Sequence, residues 1–375
     1  MIVLRIIVAI LALAGVLSVL MSVLRTVVLP RAVPARLARF TFLAVRGTLL
    51  LRLRLSGRSD YQTRDRVFAL QAPLGLFAQL VTWSLLIFVY FAALFWALSP
   101  AGLTTAGISQ ALELSGSSML TLGIDHPQGL IRHGVAFVAA GVGLTLLALV
   151  ITYLPSLYGA FSRREALITK LVVRAGSPPS GLSLLRRSWE LARFEQLEEV
   201  WDAWENWFIE LGESHTTFPQ LGFFRSPHPN NHWVLAAESV LDGCGLLMTA
   251  CDVPRQSRSE MCLEAGVSAL VAVADFLGIP HQPTEPEAEA QIILPRELFD
   301  GARRELGGLG VPIHGDADAD AAWLAFRRLR ARYEPLIAVL GRMTDAPRSD
   351  WSSWSDDLPR HSPPLIRIHR PTRPA

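Results

Sequence analysis

Lysine is almost absent from this chain of 375 residues: Lys170 stands alone among 35 basic side chains, and the others are arginines. Phosphate-binding loops and Schiff-base chemistry both call on a lysine amine. Lys170 lies in LITKLVV with no glycine loop before it, so neither chemistry has a place here. Charge of either sign is sparse, at 18% of residues, below the roughly 25% of soluble domains. Cysteine is sparse too. Cys244, Cys251 and Cys262 form neither a disulfide ladder nor a paired metal-binding spacing, and read as small buried apolar residues. No stretch alternates apolar and polar residues as a strand does, and no nucleophile–base or metal-ligand set emerges. The chain therefore reads as all-helical and as a non-enzyme, with no cofactor implied.

What the chain has in excess is apolar surface, at 51% of residues. Residues 6–24, 67–112 (most apolar over 74–98) and 133–162 contain no Asp, Glu, Lys or Arg. Each exceeds the length of about 20 residues that a spanning helix needs, or comes within a residue of it. The first lacks a small-x-small cleavage site and reads as a retained helix rather than a signal peptide. Ten arginines, from Arg25 to Arg66, lie between the first two stretches. Arg163, Arg164 and Lys170 follow the third, while Arg132 alone marks the loop at 99–132. Because basic loops stay inside, the N-terminus and that loop are expected outside and the C-terminal half cytoplasmic. LARFTFLAVRGTLLLRLRL interleaves arginine with bulky apolar residues, the pattern of an amphipathic helix lying on anionic headgroups. Nucleic acid is not an expected partner, and no small-molecule ligand is identifiable.

The outward loop reads SPAGLTTAGISQALELSGSSMLTLGIDHPQGLIRH, oddly apolar for a solvated loop. A short helix is expected over 108–118, followed by non-helical Thr121-Leu122-Gly123-Ile124-Asp125. At membrane depth such backbone survives only where protein buries it or water lines it.

This ordered set resembles the bacterial two-helix, one-pore-loop potassium channels, whose pattern is outer helix, pore helix, a filter like T-V-G-Y-G-D, and inner helix. The resemblance covers residues 73–164. It implies a pore helix carrying Glu113, Ser115 and Ser118, a filter at Thr121, Leu122, Gly123 and Ile124, and an acidic outer mouth at Asp125. It also implies hinge glycines at Gly141 and Gly143 on the inner helix, and a homotetramer. The permeant species would be a monovalent cation, K+ foremost. Here Ile124 passes straight to Asp125, so the filter's second glycine is missing and strict potassium selectivity does not follow. The rival reading is a non-conducting membrane-anchored sensor or scaffold.

The expected organisation is a first spanning helix over 1–30, a basic juxtamembrane segment over 31–70 and a pore module over 71–165. A cytoplasmic helical domain over 166–345 and a disordered tail over 346–375 complete it. Within the helical domain, 182–211 reads as one long helix with an acidic face, ending near GESHTTFPQLGFF. Further helices are expected over 232–251, 259–277, 295–306 and 321–343, the last kinked at Pro335. Asp316-x-Asp318-x-Asp320 starts like a calcium loop but lacks its glycine and bidentate acid, so helix capping is expected there. His228 and His232 are separated by Pro229 and are read as loop residues rather than metal ligands.

Overall fold

The computed structural model describes residues 2–28, 36–57, 60–99, 104–280, 294–352 and 354. Among them there is no strand, and a single antiparallel bridge joins Cys251 to Ile313. Three helical stretches are long and apolar enough to cross a membrane: Ile2–Val27, Tyr61–Ala97 and Leu130–Ala175. The chain divides into two compact units, one of residues 1–58 and 70–159, the other of 59–69 and 160–375.

The first unit begins with α1 (Ile2–Val23), which runs into a π-helical turn at Leu24–Val28. The arginine-rich segment is helical as expected, forming α2 (Arg36–Ser56). After α3 (Tyr61–Ala69) come α4 (Gln71–Ala97) and α5 (Thr105–Met119). The 46-residue α6 (Leu130–Ala175) continues unbroken through Pro155. Small residues let these helices approach closely. Gly15 faces the Tyr90 ring, and seven residues on, Trp83 Nε1 donates to Ser22 Oγ at 3.3 Å, so α1 runs antiparallel to α4. Phe42 sits on Gly75 and Arg46 donates to the Gln71 side chain, so α2 is antiparallel to α4 as well. Trp83, Ile87, Phe91 and Phe95 of α4 form the core with Val16, Val19, Ala111, Leu114, Ala139 and Leu146.

The second unit packs α7 (Gly181–Glu190), α8 (Leu197–Thr217), α9 (Trp233–Thr249) and α10 (Ser257–Leu277) with α11 (Arg296–Gly308), α12 (Ala319–Ala331) and α13 (Glu334–Thr344). The last residues of α6 share its core. α9 is the centre, buried on every face from Trp233 to Leu247, as an all-round apolar helix must be. The three cysteines are free and buried.

Several expectations change here. The long helix at 182–211 is two helices, α7 and α8. Ala192 takes a left-handed φ of 53°, and Arg193 N closes on the Ser188 carbonyl. Trp189 is held by the Leu309 carbonyl. The segment at 321–343 also divides in two. Pro335 lies in the first turn of α13, where its missing N–H leaves no helical bond unmade. α12 starts after a 3-10 turn at Asp316–Asp318 with no side-chain cap bond, and Asp320 pairs with Arg296 instead. The start of the expected tail is part of the core: Trp351 and Trp354 are buried, the latter against Gly341. Residue 353 and residues 355–375 lie outside the described residues.

Candidate functional site

α5 is set between its neighbours by small residues and hydroxyls. Thr104 caps it, accepting from Gly107 N at 3.1 Å. Ser115 Oγ donates to the Phe88 carbonyl of α4 at 2.7 Å, and Gly116 leaves room for the Phe88 ring. Glu113 points away and is exposed. At the far end of α5 the Met119 carbonyl lies against α6 so closely that a Cβ on Gly143 would come within 2.0 Å of it. Gly143 is thirteen residues past the start of α6, or about 20 Å along its axis. Residues 120–129 climb that distance back to Leu130. Gly141, by contrast, has open space beside it, and α6 is helical through both glycines.

The loop that makes the climb has an uncommon backbone. Thr121 and Gly123 are left-handed, with φ of 55° and 66°, and the residues beside them are not. Alternating left- and right-handed residues turn successive N–H groups toward one side. Here that side is the end of α5. Leu122 N donates to the Ser117 carbonyl at 2.8 Å and Thr121 N to the Ser118 carbonyl at 3.1 Å. Ser117 Oγ accepts from Ile124 N at 3.0 Å and from Asp125 N at 3.2 Å, and donates to the Asp125 carbonyl at 3.3 Å. One hydroxyl thereby uses its full donor and acceptor capacity. The carbonyl oxygens of Thr121, Leu122, Gly123 and Ile124 accept no hydrogen bond from the described chain. Asp125 Oδ1 accepts from His126 N at 2.8 Å. Thr121, Leu122, Gly123 and Ile124 are exposed, Ile124 at 77%.

Ser115 and Ser118 thus anchor the helix and the turn, but the residue that organises the loop is Ser117, which pattern matching passes over. Its only signal is its position in SGSS, one turn before Thr121.

α6 is the least covered of the three helical stretches long and apolar enough to cross a membrane, with 11% of its most apolar window buried against 28% and 33% for the other two. Gly134, Gly141, Thr145, Ala148 and Thr152 follow one another along its exposed side, flanked by Phe137, Leu144 and Ile151. The Thr152 hydroxyl bonds its own helix at the Ala148 and Leu149 carbonyls. The Thr145 hydroxyl has no partner among the described residues.

Three arginine-centred networks hold the second unit. Arg164 is buried and reaches Glu165 at 2.8 Å, the Leu221 and Phe224 carbonyls, and His215 Nε2 at 3.3 Å. Burial, then the Arg164 charge, holds the His215 imidazole well below its usual pKa. Glu213–Thr217 therefore ends α8, and the 3-10 turn Pro219–Phe223 is the hydrogen-bonded joint beyond it. His232 caps α9 by accepting from Val234 N at 3.2 Å. Arg225 joins Asp65 of α3 to the end of α13 through the Thr344 and Asp345 carbonyls. Fully buried Arg330 binds Asp242, Glu238 and Glu334, and donates to the Trp351 carbonyl. Burial raises the Asp242 pKa, with Arg330 opposing it.

No family model, curated protein or solved structure matches this chain.

Proposed function

We propose that the chain is one subunit of a homotetrameric channel that passes monovalent cations across a bacterial plasma membrane. α4 is its outer helix, α5 its pore helix, residues 121–125 its re-entrant filter and α6 its inner helix. The observation that carries this reading is the loop after α5. The N–H groups of Leu122, Ile124 and Asp125 are drawn to Ser117 while four successive carbonyls, Thr121 to Ile124, stay unengaged. Four copies around an axis would offer those carbonyls as rings that replace a cation's hydration shell. The C-terminal end of α5 adds partial negative charge, and Asp125 raises the local cation concentration.

The exposure of the loop argues for assembly. Backbone at membrane depth must be buried by protein or line water, and among the described residues Leu122 and Ile124 are left largely exposed. The bare small-residue side of α6, with its unbonded Thr145 hydroxyl, suits either a facing copy or a wet cavity. Left-handed geometry stops at Gly123, since Ile124 has no positive φ. The number of aligned carbonyls is then smaller than in a two-glycine filter, and selectivity among monovalent cations is expected to be weak. The cytoplasmic unit, on this reading, assembles or gates the pore.

Purified protein in planar bilayers tests it. The parent should conduct K+, Ser117→Ala and Gly123→Ala should reduce the current at least severalfold, and Asp125→Asn should lower conductance most at low salt. Verified tetramers that pass no current across a range of pH, voltage and calcium would sink the channel reading and leave the scaffold.

A further inference from the structure

The groove between α2 and α4 contains polar atoms that have no partner among the described residues. Gln79, 5% exposed, has neither its amide nitrogen nor its amide oxygen bonded. Gln71, 2% exposed, takes a bond from Arg46 on Oε1 at 3.4 Å but has a free Nε2. Arg39 Nη2 is buried and also unbonded. The antiparallel register that seats Arg46 at Gln71 and Phe42 at Gly75 brings residues 38 and 39 to the level of Gln79. Buried polar side chains nearly always have a partner, and three neighbouring sets of orphaned groups, mostly donors, ask for an acceptor.

α2 says what kind. It carries five arginines and no acid. At about 100° per residue, Arg36, Arg39, Arg46 and Arg54 fall along one flank. Phe40, Ala44, Leu51 and Leu55 form an exposed apolar stripe beside them. Guanidinium and amide donors together match phosphoryl oxygens, which arginine binds through two parallel bonds. An adjacent apolar stripe suits acyl chains rather than a soluble anion.

We propose that the α2–α4 groove is a binding site for an anionic phospholipid, its phosphodiester held by Arg39, Gln79 and Gln71 and its acyl chains lying along Phe40 to Leu55. The site requires only that the chain is embedded in a membrane and is independent of conduction.

The test uses the full chain, purified in mild detergent and stripped of lipid. Phosphatidylglycerol or phosphatidylcholine is then added, with retention followed by native mass spectrometry and stability by thermal melting. Phosphatidylglycerol should be retained and raise Tm, and phosphatidylcholine should do neither. Arg39→Gln and Gln79→Leu should each weaken phosphatidylglycerol binding about tenfold, the loss of one charge-assisted or buried bond. Arg52→Gln, on the opposite flank, should bind as the parent does. Without lipid, Gln79→Leu should melt no lower than the parent, because no protein bond is lost. Equal retention of the two lipids, unchanged binding in both groove variants, or an equal shift from inorganic phosphate would overturn the proposal. So would a lower lipid-free Tm for Gln79→Leu, which would show that the amide serves the protein alone.

Discussion

Gly141 and Gly143 are two residues apart on α6 and look alike in sequence, yet the fold uses them differently. The Met119 carbonyl occupies the place a Cβ would take at 143, while nothing lies beside 141. Gly143→Ala should therefore force α5 and α6 apart and cost about 1–3 kcal/mol by overpacking. Gly141→Ala should be neutral or gain about 0.5–1 kcal/mol from helix propensity. Thermal melts of the two variants in one detergent will separate them. Arg330 makes a sharper case. Its partners Asp242, Glu238 and Glu334 are all buried with it. Arg330→Met strands those carboxylates and should destabilise the second unit by about 3–5 kcal/mol, read by chemical denaturation. Nothing near position 330 announces this, because two of the three acids are 88 and 92 residues away.

At the scale of elements, helical periodicity located nearly every helix but not where a helix stops. Residues 182–211 carry an unbroken helical pattern, and the break at Ala192 follows from closure of the α7 end and from the anchoring of Trp189 on a distant carbonyl. Pro335 was legible as a disruption, but whether it kinks or starts a helix depends on where Tyr333 and Arg330 pack. Element packing also sets a pH dependence. His215 at the end of α8 and His232 before α9 are fully buried, with pKa values pushed well below the usual 6.5 by burial and by nearby arginine charge. Such an imidazole takes up its proton more readily in the unfolded chain. Stability is thus fully present above about pH 6.5 and falls as the pH drops below it. Melting of the full chain from pH 7.5 to 5 should show this decline, and His215→Asn should flatten it. A decline equally steep in that variant would assign the effect elsewhere.

For the whole molecule, the decisive quantity is the number of copies. The proposed channel, with the four unengaged carbonyls of residues 121–124 and an exposed α6, requires a tetramer, and mass photometry of the detergent-solubilised chain should return four subunits. A stable monomer would remove the shared axis on which the proposed filter depends. The second unit includes α3 as well as the last part of α6, and Arg225 ties Asp65 to the end of α13. α3 is separated from α4 by Leu70 alone. On the proposed channel reading, Arg225→Ala, which breaks this tie, should change open probability without changing single-channel conductance, which recordings from single channels distinguish.

The length and apolarity of three stretches, and the arginine content of the segment between the first two, were determined by sequence alone. Spanning a bilayer is a matter of consecutive residues, so one dimension suffices to read it. That the chain leaves the helix after α5 was legible in the sequence, but the geometry of the loop was not. Only the tertiary structure decided that Ser117 gathers the N–H groups of Ile124 and Asp125, that Gly143 rather than Gly141 meets a carbonyl, and that Gln71 and Gln79 are buried with unbonded amides. Each depends on which groups distant segments bring within hydrogen-bond or van der Waals reach, and such short-range forces leave no periodic trace along the chain.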